Sequence, residues 1–154
     1  MKFLVSGLQS QRHAEIRSYL TNDEAIIAAL LAAVDFEWTV RRVLDHASLG
    51  DPGLTKDQHV SGLDGYARAW ARVLKTAHAK KLQDVVPDWE ALKKAYQLRH
   101  DIIHGRQGSS GLGYVTIRVS CILAASEAVA GYGRELGADP YKRLRKRGAL
   151  TRTN

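Results

Sequence analysis

The sequence predicts an all-α fold, a four- to five-helix bundle, and three observations carry that prediction. Apolar residues recur at three- and four-residue spacing over long stretches. The breakers Gly50-Asp51-Pro52-Gly53, Pro87-Asp88 and the loop from Gly105 to Gly111 fall between those stretches. The connections are short, as antiparallel helical neighbours require.

A short leading helix is expected around Gln9 to Leu20. Asn22, Asp23 and Glu24 read as a polar cap and acidic first turn. The long helix after them carries Ile27, Leu30, Leu31, Val34, Trp38 and Leu44 at helical spacing, to about Ser48. A second long helix is expected from about Leu63 to Lys81, with Tyr66, Trp70, Val73, Leu74 and Ala77 on one face. Pro87-Asp88 opens a third, striped by Leu92, Ala95, Tyr96, Ile102 and Ile103. A fourth runs from about Leu112 to Leu136. Its β-branched segment Val115 to Val119 competes as a strand, but the 3–4 spacing continues through it to Val129 and Leu136. Residues 1–138 form one domain by this reading, and 139–154 a basic tail.

The chain has 154 residues, enough for one domain with a sizeable core. Its single cysteine, Cys121, excludes an internal disulfide framework and a cysteine-rich zinc module. The longest purely apolar run, Ala25 to Val34, has ten residues, too few to span a bilayer. The stretch from Met1 to Ser6 offers no signal-peptide core, so a cytoplasmic protein is expected, without membrane contact. The net charge is +7. Residues 139–154 hold six cations against Asp139, or +5, which leaves +2 for the body. The charge therefore describes a basic tail more than a basic domain.

The third long helix carries an anomaly. With Leu92 at zero and about 100° per residue, Arg99 falls at about 340°, between Ala95 and Ile103 in the apolar stripe. A guanidinium there is costly unless a carboxylate, a carbonyl or a bound anion meets it. His100 and His104 share the flank, and Gly105 suits the cap that ends the helix. Arg99 paired with Asp35 or Glu37 of the first long helix, as a purely structural arginine, is one reading of these residues. A functional site is the other.

Arg99, the polar His100 directly after it, and His104 five positions beyond Arg99 resemble the Arg-x4–6-His signature of the HEPN superfamily. Their place late in the third long helix agrees, and Asp35 to Arg42 looks like part of the first long helix of such domains. The resemblance covers roughly residues 22–138. It implies a helical bundle, a homodimer with two motifs facing one cleft, and a metal-independent endoribonuclease, often of toxin–antitoxin or antiviral defence systems. Carried over, Arg99 and His104 are the catalytic pair and His100 their support. Glu37, Asp35 and Asp101 are candidate supporting residues. Some members pair with an antitoxin that modifies a tyrosine two residues after the motif histidine. Arg106 occupies that position here, which argues against that mode of silencing.

The chemistry suits the residue types. RNA supplies its own nucleophile, the 2′-hydroxyl, and imidazole, with a reference pKa of about 6.5, exchanges protons near neutrality. Arginine holds phosphate with fork geometry and offsets developing charge. Arg99 and His104 lie about 140° apart on a straight helix, so a distorted helix end or a second copy across a two-fold axis has to bring them together.

Other patterns are weaker. His100 and His104 at i, i+4 lack an evident third ligand, so no metal and no cofactor is expected. The loop with Gly105, Gly108, Gly111 and Gly113 follows a helix and lacks the Lys-Ser/Thr of a P-loop. Cys121 reads as a small buried residue, and Trp38, Trp70 and Trp89 as core or interface anchors. His13, His46 and His59 show no pattern. Arg106 and the run Lys142, Arg143, Arg145, Lys146 and Arg147 are candidate RNA contacts. Three functions compete: a dimeric HEPN ribonuclease, a non-catalytic HEPN module binding a protein partner or nucleic acid, and a structural helical protein with a phosphate-binding tail.

Overall fold

The computed structural model describes residues 8–48, 60–74, 79–106 and 111–143. Among them there are six helices and no strand: α1 (Gln9–Thr21), α2 (Ala25–Ala47), α3 (Gly62–Val73), α4 (Leu82–Val85), α5 (Trp89–Ile103) and α6 (Leu112–Glu135). The expected all-α class holds. The β-branched segment Val115 to Val119 is helical, with Val115 and Val119 in the core.

The polar triplet after α1 does a different job from the one expected. Asn22 is the C-cap of α1, and Asp23 takes a left-handed φ of 59°. That turn brings the Glu24 N–H to the Tyr19 carbonyl at 2.8 Å, a Schellman-type bond. Side-chain capping of α2 by Asn22 is therefore absent; Glu24 is its N-cap and makes no side-chain cap bond. The expected helix from Leu63 to Lys81 also shortens. It stops at Val73, and Leu74, Ala79, Lys80 and Lys81 are not helical. The Trp70 indole instead donates to the Lys80 carbonyl at 3.0 Å, drawing the returning chain across α3. Ala77 lies outside the described residues.

Helix α2 packs against α1, α3, α5 and α6. Its buried face is Ala28, Ala29, Ala32, Ala33, Phe36, Thr39, Val40 and Val43. Two of the aliphatics expected inside face outward, with Ile27 and Val34 39% and 40% exposed, while Leu44 is buried and Leu31 packs against the core. Close approach on several sides selects the small face, because every added methylene would hold a neighbouring helix away. Gly133 of α6 makes the same point, since a Cβ there would lie 2.7 Å from Val43 Cγ2 and 2.8 Å from the Ala138 carbonyl oxygen.

Helix α6 is long and apolar enough to cross a membrane by those two criteria alone. Here Val119, Ile122, Leu123, Ala125, Val129 and Ala130 are buried within the fold.

Candidate functional site

The site is built on α5. The Asp88 side chain accepts from the Ala91 N–H at 2.9 Å and fixes where the helix begins. At the other end Gly105 takes φ +64°, as expected of a C-terminal cap. Its N–H reaches the Ile102 carbonyl at 3.2 Å, and the Arg106 N–H reaches the Asp101 carbonyl at 2.8 Å, completing a Schellman motif. The helix is thus defined on both sides of the Arg99–His104 segment.

An open cleft of about 490 Å³ lies between this helix and the start of α3. Lys93, Tyr96, Gln97, Arg99 and His100 line it from α5, and Ser61 to Asp64 with Arg68 from α3. Arg99 and His100 therefore share one cavity. His104 continues the same flank a turn later, where its ring lies 4.2 Å from that of His100, tilted by 51°. His104 itself is exposed, at the C-cap of the helix. Within one chain the arginine and the two imidazoles thus form a short series, with His100 between the other two.

Glu37 stands behind Arg99. The guanidinium Nη2 lies 3.7 Å from Glu37 Oε1, and the Arg99 side chain is 35% exposed. That separation is too long for a hydrogen bond. Arg99 makes none among the described residues, so its donors remain available to a ligand in the cleft. Glu37 is held from its other side. The Tyr66 hydroxyl donates to Glu37 Oε2 at 3.3 Å, and Arg41 Nε donates to the Tyr66 oxygen at 3.0 Å. Burial raises the Tyr66 pKa above its ordinary value, and the nearby Glu37 charge raises it further, so the phenol stays a donor. Tyr96 is buried beneath the cleft, and burial raises its pKa above the ordinary value. Its hydroxyl donates to the Ala33 carbonyl at 3.3 Å, and its ring meets Phe36 edge-on at 5.9 Å. Glu37 is thus the carboxylate that meets the anomalous arginine.

Asp35 is not part of this cluster. It is fully buried toward α1, where Oδ1 accepts from Arg12 Nε at 2.9 Å and from Arg12 Nη2. Oδ2 lies 2.9 Å from His13 Nε2, and His13 Nδ1 lies 3.0 Å from Glu127 of α6. Two residues of helical offset turn Asp35 and Glu37 to different neighbours. Burial pushes the Asp35 carboxyl up, but the hydrogen bond from His13 and the Arg12 charge outweigh it and leave its pKa lowered. Arg12 also lies 4.1 Å over the Trp38 ring. This quartet was illegible in sequence, because its members come from three helices and none repeats a pattern.

The remaining candidates spread out. Asp101 accepts from the Gln97 amide at 2.9 Å, bracing a residue of the cleft wall. Arg106 is exposed just past the helix cap. Lys142 and Arg143 do not line the cleft. The backbone before them is a strap over α2: Arg42 donates to the Pro140 and Lys142 carbonyls at 3.0 and 2.7 Å, and His46 to the Lys142 carbonyl at 3.1 Å. Arg145, Lys146 and Arg147 lie outside the described residues. Among the described residues no group of three or more His, Cys, Asp or Glu side chains is placed to hold a metal. Sequence reasoning missed Arg68 and Lys93. Both sit on polar helix faces, and only the meeting of α3 with α5 gives them a common direction.

Searches against protein-family models, curated proteins and solved structures found no match to this chain.

Proposed function

We propose that this chain is a metal-independent endoribonuclease of a toxin or defence system, acting through Arg99 and His104 in a site shared by two copies. One observation carries the reading. Arg99 is backed by a carboxylate at 3.7 Å, and it opens onto a cleft lined by His100, beside whose ring the His104 ring lies. A structural arginine would have its donors bonded within the fold.

In this reading Arg99 holds the scissile phosphate. His104 takes the proton from the 2′-hydroxyl as that oxygen attacks phosphorus. The P–O5′ bond breaks, and the leaving oxygen takes a proton from a second imidazole, His100 or the partner copy's motif histidine. The products are a 2′,3′-cyclic phosphate and a 5′-hydroxyl. Positioned proton transfer of this kind contributes about 10²–10⁴ in rate. Glu37 orients Arg99, and Arg106 and the tail cations add phosphate contacts outside the cleft in this reading. A cognate antitoxin or defence protein is the partner expected of such an enzyme.

A non-catalytic binding module is the second reading. It is favoured by large aliphatics left exposed on α5 and α6: Ile103, Leu112 and Ile117. Exposed apolar surface of this kind serves a protein contact, and a homodimer equally well.

The test is cleavage of a labelled RNA in the presence of chelator. Arg99→Ala and His104→Ala are each expected to lose at least about 100-fold in rate, while a chain ending at residue 143, which keeps the strap over α2, retains cleavage. Undiminished cleavage by His104→Ala would falsify the assignment. No cleavage by the wild-type protein, with a stable complex to a partner, would establish the second reading.

A further inference from the structure

The cleft beside Arg99 holds more positive charge than one scissile phosphate needs. Arg68 reaches it from α3 and Lys93 from the first turns of α5. Arg68 makes no hydrogen bond or ion pair among the described residues. Lys93 pairs with Glu90 at 2.7 Å, but both side chains are largely exposed and lie in the same helix, i to i+3. Such a pair is weak in water and is readily exchanged for a phosphate. Among the described residues of the wall Asp64 is the one carboxylate, so that lining is net positive even with His100 neutral. The first turn of α3 adds backbone donors, because its N-cap, Ser61, makes no side-chain cap bond. The cleft volume, about 490 Å³, lies in the range of ligand sites.

We infer that this cleft is a nucleotide subsite, in which Arg68 and Lys93 hold the RNA phosphate next to the one held by Arg99. The inference rests on the ribonuclease reading for which phosphate is cleaved. It assigns the two residues to positioning: they fix the register of the strand over Arg99 and His100, and they do not touch the reacting atoms. Single-stranded RNA fits better than a small anion, since the cleft is open and its cations come from two helices.

The experiment measures fluorescence anisotropy of a 2′-O-methylated RNA hexanucleotide, which has no free 2′-hydroxyl and is not cleaved, across a range of salt concentrations. The proteins are wild type, Arg68→Ala/Lys93→Ala, and Lys94→Ala, a neighbouring cation outside the cleft lining. The double variant is expected to raise Kd about tenfold and to reduce the slope of log affinity against log salt by about 0.7, as expected for one lost phosphate contact on a single strand. Lys94→Ala stays within about twofold of wild type, as expected of a cation outside the contact. Circular dichroism checks that each variant is folded. Wild-type affinity and slope in the double variant, or no binding by the wild type, overturns the subsite. Binding lost in the double variant, with no cleavage of unmodified RNA by the wild type, keeps the subsite and removes the nuclease. Cleavage abolished by Arg99→Ala, with kcat/KM and its salt dependence intact in the double variant, keeps the nuclease and removes the subsite.

Discussion

Replacing Asp35 with alanine isolates the buried quartet from the candidate site. Asp35, Arg12 and His13 are 0%, 4% and 1% exposed, so the substitution strands two basic side chains away from water. Breaking one buried ion pair by removing a partner costs about 3–5 kcal/mol. Two features hold the figure near the lower end: Arg12 keeps its place over the Trp38 ring at 4.1 Å, and His13 keeps Glu127 at 3.0 Å. Domains of this size lose about 2–4 °C of Tm per kcal/mol, so about 3 kcal/mol predicts a drop of about 6–12 °C. Thermal unfolding followed by circular dichroism at pH 7 measures it, with urea titration at unchanged m-value as the check. Glu127→Ala, at a side chain 56% exposed, should cost at most about 1 kcal/mol. The pH dependence has a definite sign. The folded carboxyl titrates below its ordinary value of 3.8, so its contribution is complete above that value and is lost as pH falls through the folded value. The gap between wild type and Asp35→Ala should therefore stay constant from about pH 7 to 5 and close below about pH 4. A loss under about 1 kcal/mol at pH 7, or a gap that widens in acid, refutes the reasoning.

Two further outcomes test the packing. Gly133→Ala should destabilise by about 1–3 kcal/mol, because one of the two atoms it meets is the Ala138 backbone carbonyl, which has little room to yield; urea unfolding reads this, and Gly133→Ala combined with Val43→Ala should not recover the whole loss. Cys121 should react with iodoacetamide at pH 8 more slowly than a free cysteine peptide, since burial, and then the Asp88 charge, raise its thiol pKa against a smaller lowering by Arg118; equal rates would contradict that environment.

Local features were readable from the chain alone, because each depends on a few neighbouring residues. Leu92, Ala95 and Tyr96 mark α5 by spacing, Asp88 begins it, and Gly105 ends it with the left-handed turn that glycine accepts at least cost. Arg99 was conspicuous because a charge stood within an apolar stripe, and Glu37 was within the pair of carboxylates named for it. Which carboxylate meets which cation was not readable. Asp35 and Glu37 are two residues apart on one helix, and only the placement of α1 and α5 around α2 sends the first to Arg12 and His13 and the second to Arg99. The inward face of α2 escaped for a related reason. Hydrophobicity ranks Ile27 and Val34 above alanine, while close approach by several helices selects Ala28, Ala29, Ala32 and Ala33. The cleft belongs wholly to the assembled protein. Arg68 and Lys93 are ordinary surface cations in sequence, and they gain a common direction only where α3 meets α5. Spacing along the chain sets the elements and the caps of α5; long-range packing sets which faces meet, and the cleft is made of faces that meet.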